Sequence, residues 1–441
     1  MLKVVKFGGS SLASAEQFQK VGNIIRADQD RRFVVPSAPG KRFDGDTKVT
    51  DMLYGCYAAA EAGEDFSDKL KAIRARYDEI IQGLRLDLSL DDEFAVIAEN
   101  FAAKAGSDYA ASRGEFLNGK VMAAYLGYEF IDAASVILFD EDGSFAADET
   151  NKRMAKRLAS CENAVIPGFY GAYADGRVKT FSRGGSDITG SIVARALKAD
   201  LYENWTDVSG FLVTDPRIVE DPAVVEMITY RELRELSYMG ASVLHEDAIF
   251  PVRKEAIPIN IRNTNKPDDP GTLIVESTCR KPRYTITGIA GKKGFCAVTI
   301  DKDMMNTEVG FGRKVLDVFE QYGISFEHIP SGIDTMSVLV HQAEFVAYEQ
   351  QVIAGIHRAV QPDSIELESD LALVAVVGRG MKAAHGTAGR IFSALAHARV
   401  NVRMIDQGSS ELNIIIGVSS GDFEKAIRAI YDIFITADEE L

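Results

Sequence analysis

Two glycine-rich turns in this chain carry residues suited to phosphate chemistry. The first is Lys6-Phe7-Gly8-Gly9-Ser10, at the end of an apolar run that starts at Leu2. Glycines let main-chain N–H groups approach an anion closely, and a following helix N-terminus adds partial positive charge. Lys6 supplies a full charge beside them. The second turn is Ser182-Arg183-Gly184-Gly185-Ser186-Asp187, just before a helical pattern from Ile188 to Leu197. Arg183 can fork a carboxylate or a phosphate. Asp187 is an acid inside an anion site, so it must face something cationic. Arg183 and Asp187 together fit the two ends of an amino acid. The same string also reads as an ordinary helix start with a favourable acid in its first turn.

Other polar groups sit where a ligand could reach them. Ser37 lies in Pro36-Ser37-Ala38-Pro39-Gly40-Lys41, after the second strand, where open α/β sheets bind ligands. Thr50 and Asp51 begin the next helix. Ser112-Arg113-Gly114-Glu115 has the spacing of a capping box opening a helix over 115–126, which gives Glu115 a structural role. Thr206-Asp207 and Thr214-Asp215-Pro216-Arg217 read equally well as loop chemistry. Gly114 to Lys120 satisfies G-x-x-x-x-G-K, but Val121 stands where a metal-binding hydroxyl belongs. Gly378-Arg379-Gly380 lacks the third glycine of a dinucleotide fingerprint, since Ala383 occupies that place.

These residues need elements to hold them. The pattern predicts a strand over 2–7, a helix carrying Phe18, Val21, Ile24 and Ile25 behind a Ser14–Gln17 capping box, and a strand at Phe33 to Val35. Helices follow around 50–62, 67–84, 91–105 and 115–126, then at 187–198 and 230–240. Strands are expected at 128–131, 164–167, 200–204 and 257–261. The alternation predicts an α/β sandwich on a mostly parallel sheet. Pro267, Pro270, Gly271 and Pro282 mark a junction near 265–284. Beyond it an internal repeat appears: Gly312-Arg313 and Ile324-Ser325-Phe326 return as Gly389-Arg390 and Val400-Asn401-Val402. The chain is therefore divided into 1–280, a first α+β module at 301–366 and a second at 367–441, with 285–300 as a candidate completion of the second.

Composition narrows the function classes. With 49 Lys+Arg against 65 Asp+Glu, the net charge is -16, which argues against nucleic-acid and anionic-membrane partners. The apolar runs are too short to span a membrane, and Lys3 and Lys6 interrupt any leader-like start, so a cytoplasmic protein is expected. Cys56, Cys161, Cys279 and Cys296 form no C-x-x-C pair, and the six histidines show no metal spacing, so no metal site is expected.

Taken in order, Lys6-Phe-Gly-Gly-Ser, Ser-Arg-Gly-Gly-Ser-Asp187, Trp-Thr-Asp207, Thr-Asp-Pro-Arg217, Met239-Gly-Ala-Ser-Val-Leu-His245 and Ile261-Arg-Asn-Thr resemble the aspartate kinases over essentially the whole chain. The resemblance implies the amino-acid-kinase three-layer sandwich followed by two ferredoxin-like ACT modules. With no room for an appended homoserine dehydrogenase, the chain looks like the monofunctional form. The implied reaction moves the γ-phosphoryl group of ATP, with Mg²⁺ on its phosphates, to the side-chain carboxylate of L-aspartate. This is the first step towards lysine, threonine and methionine. By resemblance, Lys6 and Asp187 are catalytic, and Ser37, Thr50, Glu115, Arg183, Gly184, Gly185 and Ser186 contact aspartate. Lys6, Gly8, Gly9, Ser10, Thr206, Asp207, Asp215, Arg217 and Ser242 would hold the nucleotide. Ser242 stands where the family often has a lysine, and Leu212 where it often has an aromatic residue. The ACT modules imply feedback by lysine or threonine, near Met305, Thr307, Ser325, Glu327 and Asp334, and a homodimer or dimer of dimers. The alternatives are a kinase of another small amino acid or acyl amino acid, and a catalytically weak amino-acid sensor.

Overall fold

The computed structural model describes every residue except Arg183, Ser242, Val243, His245, Ser409 and 438–441. The chain forms two compact units, each built from several stretches. The first comprises Met1–Phe211, Val224–Tyr230 and Val243–Thr278.

Its centre is the strand Lys3–Phe7, which pairs in parallel with Arg31–Pro36 on one side and Leu201–Thr206 on the other. The full sheet runs Met227–Thr229, Thr272–Val275, Ile259–Asn263, Leu201–Thr206, Lys3–Phe7, Arg31–Pro36, Ala164–Val165, Glu129–Phe130. Only the pairing of Ile259–Asn263 with Thr272–Val275 is antiparallel. The chain leaves Lys3–Phe7 towards one neighbour and returns much later on the other side. Such a reversal opens a crevice at the strands' carboxyl ends, and Lys6 to Ser10 lie there.

Strand periodicity sends alternate side chains to opposite faces. Val5 and Phe7 join one buried core with the helices Ala15–Arg26, Val49–Ala62, Ser67–Gly83, Asp91–Ala102 and Ser107–Leu126. Lys6 therefore takes the other face, where the helix Gly185–Leu197 packs on the sheet. Ser14 caps Ala15–Arg26 by accepting from the Gln17 amide at 3.4 Å, as the sequence pattern predicts. The expected helix start at 115 is incorrect. The helix begins at Ser107 after Gly106 (φ +103), which places Ser112 and Glu115 in its interior. Ser112 Oγ donates to the Tyr109 carbonyl at 2.7 Å instead of capping anything.

A buried ionic cluster lies against the strands that carry the site. Arg31 donates to Glu203 at 2.8 and 3.2 Å, and Trp205 Nε1 donates to the same carboxylate at 2.9 Å. Trp205 stacks on Phe7 with ring centroids 5.9 Å apart.

The second unit comprises Leu212–Ala223, Arg231–Ser242 and Cys279–Leu441. Its six-stranded sheet is antiparallel, in the order Phe326–His328, Thr335–His341, Gly288–Asp301, Ser364–Val377, Asn413–Ser419, Met404–Asp406. The repeat seen in the sequence appears as matching helices, Phe311–Gln321 with Thr387–His397 and Glu349–Val360 with Phe423–Tyr431. The two central strands run through both repeats. Residues 295–301 lie beside 335–341, whereas 288–293 pair with 372–377. Glu232 is fully buried here and accepts from Thr287 Oγ1 at 2.6 Å, the Arg379 amide at 2.8 Å and its guanidinium at 3.0 Å.

Trp205 is the single tryptophan, so its fluorescence reports on the first unit. Replacing Glu203 by Ala leaves the buried Arg31 without its hydrogen-bonded carboxylate and with only Asp28, at 3.9 Å. The Trp205-detected urea transition should then lose roughly 3–5 kcal/mol, the usual cost of breaking a buried pair. An unchanged midpoint would show that the cluster contributes nothing net.

Candidate active site

Where the strand Lys3–Phe7 ends, the chain turns through Gly8 and a short 3-10 segment, Gly9–Leu12. The Gly8 amide donates to the Trp205 carbonyl at 2.9 Å, tying the turn to the neighbouring strand. Gly9 meets the loop after the second strand backbone to backbone. The Gly40 amide donates to the Gly9 carbonyl at 2.8 Å. A Cβ on Gly40 would lie 2.6 Å from the Gly9 carbonyl carbon, and one on Gly9 would lie 2.9 Å from the Ala38 oxygen. Only glycine permits this crossing, which holds the phosphate-type turn against Ala38 to Gly40.

Lys6 is 7 % exposed, and its Nζ lies 2.5 Å from Asp187 Oδ1. Asn204 Nδ2 donates to the same Asp187 oxygen at 2.8 Å, while Lys6 Nζ donates to Asn204 Oδ1 at 3.5 Å. Asp187 stands in the first turn of Gly185–Leu197, behind Gly184 in the left-handed region (φ +58). Tyr202 OH donates to the Asp187 carbonyl at 3.1 Å. Asp187 thus faces the Lys6 ammonium.

Glu115 reaches the same place from the helix Ser107–Leu126. It is buried, and burial pushes its carboxyl up to about 8, against hydrogen bonds from the Ala38 backbone and Ser186 and the nearby charge of Lys6. Among the described residues its Oε2 has no hydrogen-bond partner. Near neutral pH Glu115 therefore keeps its proton. Ser37 is fixed by two bonds, its amide to the Phe7 carbonyl at 3.1 Å and its carbonyl accepting from Asn118 Nδ2 at 2.6 Å. Gly114 leaves no room for a side chain against Ala38, and Thr50 Oγ1 comes within 3.8 Å of where its Cβ would stand. Lys6, Ser37, Thr50, Glu115, Ser186 and Asp187 therefore converge.

Other expected residues are placed differently. Thr206 ends its strand and donates to Asp207 Oδ1 at 3.1 Å. Asp215 and Arg217 pair with each other, Arg217 Nε lying 3.0 Å from both carboxylate oxygens, and belong to the second unit. Arg183 and Ser242 lie outside the described residues. In the second unit Met305, Thr307 and Asp334 share one turn: the Met304 amide donates to Asp334 Oδ1 at 3.0 Å, and Thr307 Oγ1 to the Met304 carbonyl at 2.8 Å. Met305 is buried in the module core, and Ser325 is exposed. Glu327 is already paired with His341 Nε2 at 3.1 Å and bonded to the Tyr238 hydroxyl.

Sequence reasoning missed Asn204 and Asn118, and it named Gly40 only as part of the loop after the second strand, without its contact to Gly9. A signal existed for Asn204: two polar residues, Glu203 and Asn204, interrupt an otherwise apolar strand buried on both faces. For Asn118 and Gly40 the signal is tertiary contact alone.

The donor set around Lys6 suits phosphate oxygens. The description "Amino acid kinase family" matches residues 1–263, and "ACT domain" matches 374–434. Aspartokinase 3 of Bacillus subtilis is 41% identical over 98% of this chain and 98% of its own length. The chain belongs to the aspartokinases of the amino acid kinase family. Clostridium acetobutylicum aspartate kinase is 53% identical, with a TM-score of 0.89 over 98% of this chain and 99% of that one. E. coli aspartokinase III, solved with aspartate and ADP, is 26% identical with a TM-score of 0.73 over 98% and 99%. The same E. coli enzyme has also been solved with lysine and aspartate, with a TM-score of 0.72 over the same shares. The C-terminal antiparallel sheet of this aspartokinase is its ACT region. No helix among the described residues is long and apolar enough to cross a membrane.

The raised Glu115 carboxyl has a stability signature. The folded chain holds a proton that the unfolded chain releases above its ordinary value of 4.5. Stability is therefore highest below about 4.5, falls as pH rises towards about 8, and is level beyond. Glu115→Gln removes this term, so the variant-minus-wild-type difference in urea midpoint should grow between pH 5 and pH 8. A difference independent of pH would count against a proton-bound Glu115.

Proposed function

We propose that this aspartokinase transfers the γ-phosphoryl group of ATP to the side-chain carboxylate of L-aspartate. The observation that carries the reading is the Lys6 ammonium, held by Asp187 and Asn204 beside the Gly8-Gly9 turn. An aspartate oxygen attacks the γ-phosphorus, the bond to the β,γ-bridging oxygen breaks, and ADP leaves with that electron pair. The nucleophile is ionised at neutral pH, so no base is required. Catalysis reduces to in-line placement and neutralisation of charge on the moving oxygens.

In this reading Lys6 and the amides of Gly9 and Ser10 neutralise the transferring group, Gly8 shapes the turn with its own amide bonded to the Trp205 carbonyl, and Asp187 and Asn204 position Lys6. Glu115, once it yields its proton, grips the aspartate ammonium beside Ser37, Thr50, Gly184, Gly185 and Ser186, with Arg183 on the α-carboxylate. Thr206, Asp207, Asp215, Arg217 and Ser242 serve the nucleotide. Mg²⁺, carried on the triphosphate, supplies further charge neutralisation.

Residues 1–280 are read as the catalytic domain, although 212–223 and 231–242 cluster with the second unit, and 301–366 and 367–441 as the two ACT modules sharing the strand Gly288–Asp301. Lysine or threonine binds the modules near Met305, Thr307, Ser325, Glu327 and Asp334. Lysine is favoured because the related E. coli enzyme has been solved with it. Copies associate through these modules, and the enzyme works in the cytoplasm.

With aspartate, ATP and hydroxylamine the protein should form aspartyl hydroxamate, and Lys6→Ala should lower kcat by roughly 10²–10³-fold. Absence of hydroxamate from the wild-type protein would sink the reading. If Glu115 must ionise to grip the ammonium, the KM for aspartate should fall about tenfold per unit as pH rises from 6.5 towards 8. Glu115→Gln should raise KM and flatten that dependence.

A further inference from the structure

Arg113 stands two residues before Glu115 and takes no part in the chemistry above. Its side chain is 7 % exposed, which removes a permanent charge from water. Burying a charge in this way demands a compensating partner. Among the described residues Arg113 has no carboxylate partner. Its hydrogen bonds both go to Ser112 Oγ, at 3.1 Å from Nε and 2.9 Å from Nη2. Three aromatic faces surround the guanidinium instead, with centroids at 4.6 Å for Tyr109, 4.4 Å for Phe116 and 5.5 Å for Tyr170. Stacking holds the fork in place and leaves the Nη1 edge without a bond.

Arg113 lines a cavity of about 240 Å³ between the helices Asp91–Ala102 and Ser107–Leu126. Lys120 also lines it, two turns or about 10 Å further along the helix, but it is already paired with Glu93. Asp92 stands exposed on the same wall, and Val96 with the Tyr109 and Phe116 rings supplies apolar surface. Two cations and two carboxylates thus face one small space at separate positions. A bare anion drawn to Arg113 would meet Asp92, and a bare cation would meet Arg113. A neutral molecule with separated charges meets neither penalty.

We propose that this cavity is a second amino-acid site, for a free amino acid with an apolar side chain. Its carboxylate lies on the open edge of Arg113 and its ammonium beside Asp92. Its side chain rests on Val96, Tyr109 and Phe116. The site is separate from the converged residues around Lys6 and from the ACT modules.

The test is calorimetric titration of the full-length protein with leucine and with phenylalanine. Saturable binding is expected, at least tenfold weaker in Arg113→Met, while 4-methylpentanoate (no ammonium) and leucinamide (no carboxylate) bind at least tenfold more weakly than leucine. Three results would overturn the proposal: no saturable binding by either amino acid, equal binding by 4-methylpentanoate, or affinity unchanged in Arg113→Met. The last would assign the heat to the ACT modules. Should Arg113→Met fail to fold, the exposed Asp92→Lys variant decides, since it must weaken leucine at least tenfold. The readout is binding, so its outcome is independent of whether the protein phosphorylates aspartate.

Discussion

A lysine ammonium inside a parallel sheet is the constraint on which this structure turns. Taking such a charge from water costs several kcal/mol unless a partner is ready. Asp187 and Asn204 are that partner, and each imposes a condition on the fold. Asp187 must stand in the first turn of its helix, which requires Gly184 in the left-handed region and Gly185 tight against Phe169, where a Cβ would come within 2.5 Å of the ring. Asn204 must stand opposite Lys6 across the parallel pair, so the register of Leu201–Thr206 is set by the same charge. Stability and chemistry share one set of contacts here.

Among the described residues of the site, two charges are muted. Lys6 is matched by Asp187, and Glu115 is kept uncharged by burial. Both substrates of the proposed reaction are anions, and the protein as a whole carries a net charge of -16. A pocket with an ionised Glu115 would add repulsion to that field. In the proposed reading, holding the proton until an ammonium arrives ties the charge of the pocket to the presence of the correct substrate.

Much of this was legible in the sequence, for physical reasons that differ by residue. The Lys6 and Gly8-Gly9 turn announces itself because backbone approach to an anion admits few residue types. The sheet was legible because parallel strands buried on both faces form apolar runs, as Val4-Val5 and Phe33 to Val35 do. The role of Glu115 was not, because Ser112-x-x-Glu115 is equally a cap when a helix starts there. Only the earlier start at Ser107 turns the same four residues into a helix interior facing the site. The Lys6–Asp187 contact was hidden too: the sequence reads Asp187 as a substrate partner and gives no sign of the Lys6 ammonium 2.5 Å away. The contact of Gly40 was invisible for another reason: what it touches is a backbone thirty residues earlier.

The long shared strands of the second unit have a consequence for how the chain matures. The central strand of the first repeat, 295–301, continues from 288–293, whose partner 372–377 lies in the second repeat. Neither repeat is complete within its own stretch of sequence. Closing the sheet requires contacts between residues some eighty positions apart, and such long-range pairing is slow. A nascent chain emerging from the ribosome therefore cannot finish its regulatory unit until the strand Asn413–Ser419 has been made. The first unit has all its sheet strands by Val275. Synthesis thus leaves an interval in which the catalytic fold can exist before anything is able to restrain it.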